Sequence, residues 1–150
     1  MEKELMLMVG PIGAGKTTFA RSLENSTSIR ISQDEQGRRQ HRELFNQSVE
    51  EGIPRIIVDR MNFNKEQRAR YINKAREHGY VITVFEFEWD WDTCYNRVMT
   101  RIGHPTIGSG DHATTEKVLH MFQGMYEPLS EDEYDNYNLV EMKCLKNITL

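Results

Sequence analysis

Leu5-Met6-Leu7-Met8-Val9-Gly10-Pro11-Ile12-Gly13-Ala14-Gly15-Lys16-Thr17-Thr18 decides the fold of this 150-residue chain. Its first five residues are apolar without alternation, which predicts a strand buried on both faces. Gly10 to Thr17 then fit G-x-x-x-x-G-K-[ST], and a helix is predicted from about Lys16 to Glu24. The spacing has a mechanical reason. Glycines let the backbone curl so that successive N–H groups converge on phosphate oxygens, and the helix N-terminus adds its positive dipole. Lys16 supplies a mobile cation for the outer phosphates, and the Thr17 hydroxyl suits Mg²⁺. Gly10, Gly13, Ala14, Gly15, Lys16, Thr17 and Thr18 are thus the expected nucleotide-binding residues.

Working outward, short apolar runs alternate with helical stretches. Strands are predicted at Ile29–Ile31, Arg55–Asp59, Val81–Phe87 and Tyr137–Met142. Helices are predicted at about 40–51, 65–78, 92–101 and 114–126. For the second of these, Asn64 is the cap, Gln67 the N3 residue and Gly79 the stop. Strand–helix alternation implies right-handed crossovers and a parallel sheet. The expected architecture is α/β: a P-loop NTPase-type parallel sheet of about five strands with helices on both faces. It is read as a single domain over 1–150, with a lid region at about 96–113.

Composition narrows the setting. With 38% hydrophobic and 28% charged residues, the chain is neither a membrane protein nor disordered. The length suits one domain that folds without disulfide or structural metal. Cys94 and Cys144 have no metal-like spacing and read as reduced thiols, so a cytoplasmic location is expected. The net charge of -4 argues against nucleic acid, but the charge is uneven. Arg55, Arg60, Lys65, Arg68, Arg70, Lys74 and Arg76 crowd one stretch, and Arg38, Arg39 and Arg42 another. Such clusters are either solvated helical faces or a local attraction for phosphates.

Further candidates lie just beyond strand ends, where ligands bind in this architecture. Asp34 follows the second strand. A kinase acting on an alcohol needs a carboxylate there to take the hydroxyl proton; otherwise Asp34 is a turn aspartate. Asp59 closes an apolar strand in the position that holds Mg²⁺ through water. Arg97 and Arg101 share a helix face ahead of a Gly-containing loop, the layout of a lid that brings guanidinium groups to a phosphoryl group. His104 in that loop could touch phosphate or lie exposed. Trp89 and Trp91 read as packing anchors. Asp34-Glu35-Gln36-Gly37 fits the D-x-x-G of GTPases, but no N-K-x-D accompanies it.

This ordered series resembles the 5'-hydroxyl polynucleotide kinase family of P-loop phosphotransferases, which includes phage-type and animal polynucleotide kinases and the kinase domains of fungal and plant-like tRNA ligases. The resemblance rests on Gly10–Thr18, Arg30-Ile31-Ser32-Gln33-Asp34, Val58-Asp59-Arg60-Met61-Asn62, Glu66–Tyr71, and Asn96-Arg97 with Arg101. It implies that Asp34 is the general base on a 5'-hydroxyl and that Thr17 and Asp59 serve Mg²⁺. Arg97 and Arg101 would be lid arginines, and Arg60 and Asn62 would lie beside the acceptor. Two departures stand out. Gln33 replaces the usual Arg or Asn before the base. Gly37 replaces an arginine that contacts the acceptor phosphate in the phage-type enzyme, a role Arg38 would have to assume. The expected partners are a 5'-OH end of RNA or DNA and ATP or GTP, with any ligase or phosphatase on a separate chain. The alternatives are a kinase for a sugar, nucleoside or antibiotic, and a nucleotide-dependent switch without phosphotransfer.

Overall fold

The computed structural model describes residues 2–100 and 112–142. Five strands form one sheet: β1 (Glu4–Val9), β2 (Ser28–Ile31), β3 (Arg55–Val58), β4 (Val81–Phe87) and β5 (Asn136–Val140). They are all parallel, in the order β2-β3-β1-β4-β5. Between them run α1 (Lys16–Ser22), α2 (Gln33–Gln36), α3 (Arg38–Glu51), α4 (Lys65–Glu77), α5 (Trp91–Thr100) and α6 (His112–Met125). Leu5 pairs with Ile56 on one side and Ile82 on the other, so β1 has no edge and needs apolar side chains on both faces.

The two faces divide the core. Leu5, Leu7, Val9, Val58 and Ile82 point toward Phe45 and Val49 of α3 and Tyr71, Ile72 and Ala75 of α4. Met6, Met8 and Ile57 point the other way, toward Ala20 of α1, Cys94 of α5 and Leu119 of α6. Each such side chain contributes roughly 1.5–3 kcal/mol on burial. The chain visits β2 and β3 on one side of β1 and then β4 on the other. The loops after β1 and β3 therefore open a crevice at the carboxyl edge, the switch point where ligands settle.

The local signals behave as their chemistry requires. Gln67 N donates to Asn64 Oδ1 at 2.8 Å, capping α4. Gly79 ends the segment at φ 81°, and Tyr80 N reaches back to Ala75 O at 3.0 Å. The single turn α2 follows Ser32, which lies three residues ahead of Glu35, with no apolar period after it. The Gln36 side chain braces it, accepting from Ser32 N and donating to Arg30 O, each at 2.9 Å. The Trp89 ring meets Phe122 edge-on at 5.6 Å, and Trp91 lies 4.5 Å from the His120 ring, so both tryptophans anchor the packing. Arg101, His104 and Cys144 lie outside the described residues, as does most of the expected lid loop.

Candidate functional site at the carboxyl edge of the sheet

A cleft of about 650 Å³ opens over the ends of β1, β2 and β3. It is lined by Gly13, Gly15, Lys16, Thr17 and Thr18 from the phosphate loop, Asp34 from α2, and Asp59, Arg60 and Asn62 after β3. Phe63, Val118 and Met121 form an apolar wall. Residues far apart in sequence thus share one concavity, as the strand-end argument expected.

The phosphate loop is held from behind. Gly10 N donates to Met61 O at 3.1 Å, and Ala14, fully buried, offers the ligand only its backbone. Gly13 sits at φ 80°, and a Cβ there would fall 2.5 Å from Cys94 O. Only glycine lets α5 dock this closely on the loop. Arg97 of the same helix donates from Nη1 to Gly13 O at 3.3 Å, which brings its guanidinium to the loop itself. Lys16 Nζ donates to Pro11 O at 2.8 Å, so its ammonium lies over the loop.

Thr17 Oγ1 donates to Asp59 Oδ2 at 2.9 Å. A hydroxyl and a carboxylate joined this way are hard oxygen donors, and they fit Mg²⁺ better than a softer metal. The same Oδ2 accepts from Arg30 Nη1 at 3.0 Å. Arg30 also donates from Nε to Glu24 at 3.1 Å and from Nη2 to Glu35. Arg21 reaches Glu35 at 3.1 Å. Burial alone would lower the Arg30 pKa, but bonding to Glu35 and the nearby carboxylates raise it above its ordinary value. The Arg30 hydrogen bond holds the Glu35 carboxyl below the usual range.

A second network backs Asp34. Arg60 Nη2 donates to Gln33 Oε1 at 2.6 Å and Nη1 to Tyr71 Oη at 2.9 Å. Tyr71 lies 3.3 Å from Nε2 of His41, whose Nδ1 meets Gly37 O at 3.1 Å. Burial first, and then the charges of Arg60 and Arg42, push the His41 pKa down against the opposing hydrogen bond to Gly37. Arg60 has no carboxylate partner among the described residues.

Of two expected acceptor contacts, Arg38 lies off the cleft, whereas Asn62 lines it with its amide turned inward. Arg38 starts α3 as an exposed residue and does not line the cleft, because Gly37 turns the chain outward after α2. Asn62 is 2% exposed, and its amide donates to Met8 O at 2.7 Å and Arg60 O at 3.3 Å. It braces β1 against the loop after β3 instead of reaching outward. The basic stretch from Arg55 to Arg76 is not one surface either. Arg55 serves Leu23 O at the opposite end of the sheet. Arg68 is wholly buried against Glu133, and Lys74 pairs with Glu50. Sequence reasoning gave no role to Arg30. Its signal was a lone arginine between Ile29 and Ile31, since a charge inside an apolar strand must find partners.

The fold and this loop define a P-loop domain of the kinase-like type. The chain belongs to the AAA domain family AAA_33, which it matches over residues 5–129. No curated protein matches it in sequence. Among solved structures it is similar to Chaetomium thermophilum Kti12 in complex with ADP-AlF3, at TM-score 0.64 and 16% identity, covering 91% of this chain and 88% of that one. A proposed kinase from Chloroflexus aurantiacus J-10-fl gives TM-score 0.64 at 13% identity, covering 99% and 97%. The Deinococcus radiodurans tunicamycin resistance protein gives 0.53 at 15%, covering 99% and 94%. At these identities the likeness is one of fold.

Proposed function

We propose that the chain is a nucleoside-triphosphate-dependent kinase that transfers the γ-phosphate to the 5'-hydroxyl of RNA or DNA. The observation that carries this reading is the cleft itself. It gathers the phosphate-loop residues, the metal-type pair Thr17 and Asp59, the carboxylate of Asp34 and the Arg60 guanidinium from three strand ends. ATP or GTP binds along Gly10 to Thr18. Thr17 and Asp59 would hold Mg²⁺, which when bound would supply charge neutralisation at the phosphate oxygens. Asp34 accepts the proton of the attacking hydroxyl, and its oxygen forms the new bond to the γ-phosphorus as the bond to the β-phosphate oxygen breaks. Lys16 and Arg97 offset the charge that develops on the departing phosphates, with Arg101 as their expected companion. Arg60, whose partners are neutral, binds the acceptor phosphate beside the reacting hydroxyl, because a charge-assisted bond outcompetes those to Gln33 and Tyr71. The 5'-phosphate product is what a ligase consumes, which supports a role in nucleic-acid repair.

The apolar wall of Phe63, Val118 and Met121 and the dispersal of the Arg55–Arg76 charges favour a second reading, a kinase for a small alcohol. Transfer of labelled γ-phosphate to a panel of 5'-OH oligonucleotides, nucleoside 3'-phosphates and uncharged small alcohols separates the two. A polynucleotide kinase gives its highest kcat/KM on the oligonucleotides, with a KM that rises with salt as phosphate contacts are screened. A salt-insensitive preference for the uncharged alcohol would replace this reading with the second.

A further inference from the structure

Arg30 is the charged residue of β2, and its side chain is only 8% exposed. An apolar residue would suit this strand position, and burying a guanidinium costs several kcal/mol before its partners repay it. Three carboxylates surround it, those of Glu24, Glu35 and Asp59. The Asp59 oxygen that accepts from Arg30 is the oxygen that accepts from Thr17. A permanent positive charge is therefore bonded directly to the carboxylate best placed to support a divalent cation.

We infer that Arg30 is a built-in counter-ion of Asp59, which makes divalent-cation binding conditional on the nucleoside triphosphate. The guanidinium keeps Asp59 aimed at Thr17. It also repels a bare divalent ion with twice the force it would exert on a monovalent one. A triphosphate on the loop brings its own negative charge, outweighs that repulsion and carries the cation in with it. The Glu35 carboxylate, held by Arg30 and Arg21, fixes the guanidinium from the far side. Arg30 is a positioning residue here. The inference rests on Thr17 and Asp59 as the metal pair and is independent of the acceptor, so it can fail without touching the choice between polynucleotide and small alcohol.

The test is Mn²⁺ titration followed by electron paramagnetic resonance, with and without a non-hydrolysable triphosphate analogue. The wild-type protein should show no saturable Mn²⁺ site below millimolar concentration without nucleotide, and a tight one with it. Arg30→Gln should tighten nucleotide-free Mn²⁺ binding at least ~10-fold, a conservative figure for losing one unit charge at contact range. Arg30→Lys, which keeps the charge, should stay close to wild type. Tight nucleotide-free binding by the wild type would overturn the proposal, and that measurement needs no variant to fold. Unchanged or weaker binding by a folded Arg30→Gln protein would overturn it too, as would Lys and Gln variants that tighten equally.

Discussion

Arg68 and Glu133 stand 65 residues apart in sequence and meet as a two-point ion pair, Nε to Oε1 at 2.8 Å and Nη2 to Oε2 at 3.3 Å, with the arginine wholly buried. The guanidinium also donates to Asn62 O at 3.1 Å and Pro128 O at 3.4 Å. It thus ties α4 to the loop beside the cleft and to the segment leading into β5. Arg68→Ala should cost about 3 kcal/mol, because it leaves the mostly buried Glu133 carboxylate without its counter-charge, with only Ser130 still donating to it. Urea unfolding checks this, and the Arg68→Met, Glu133→Leu double variant should recover most of the loss.

The same pair sets an acid limit. Burial pushes the Glu133 carboxyl up, but hydrogen bonds from Arg68 and Ser130 outweigh it and hold the pKa below its ordinary value. Unfolded chains protonate such a group near pH 4.3. The pair's stabilisation is therefore complete above that pH and is lost as pH falls through the lower folded value. Midpoints of urea unfolding should drop between about pH 5 and 3 in the wild type, and less steeply in Glu133→Gln.

Lys16→Ala should lower phosphotransfer at least ~10²-fold, the scale of one charge-stabilising contact. Its ammonium lies over its own loop, donating to Pro11 O, and urea unfolding of the variant checks that the fold persists. Near-normal transfer by the folded variant would remove Lys16 from the mechanism.

Asp34→Asn keeps the size of the side chain and removes its basicity. Donor affinity should persist while turnover falls about 10²–10⁴-fold. Calorimetric titration of the nucleotide beside single-turnover kinetics distinguishes this from a merely structural loss.

Gly13→Ala tests the close seat of α5 on the loop. The added Cβ would meet Cys94 O at 2.5 Å from a backbone already at φ 80°. Overpacking of this kind costs about 1–3 kcal/mol. Donor affinity should fall with it, since α5 and the loop must move apart, and with them Arg97.

The parts of this protein legible in its sequence are those fixed by local chemistry. The apolar run of β1, the Gly10–Thr17 spacing and the Asn64 cap each carry a signal within a few residues, and the structure has all three. Side chains whose partners are distant were not legible. Arg68 looked like a surface charge because Glu133 lies far along the chain. The bracing role of Asn62 is not legible either, because nothing local shows that Met8 O takes its amide. Arg38 followed from a family position, but Gly37 at φ 87° and ψ 163° carries it out of the cleft. The α2 turn is hard to read because Gln36, from within the turn, supplies its bracing, and the Ser32-x-x-Glu35 pattern at its start leads into no apolar period.

The bonds from Gly10 N to Met61 O and from Asn62 Nδ2 to Met8 O lie beyond the regular ladder and stitch the donor loop to the loop after β3. These bonds tie the two walls of the cleft to each other. A nucleotide on one wall should therefore leave the other in place, and neither substrate should help or hinder the other through them. The coupling factor between donor and acceptor should then sit near one, and by thermodynamic reciprocity it must be the same whichever binds first. Initial-rate kinetics should show random addition with intersecting lines and nearly independent dissociation constants.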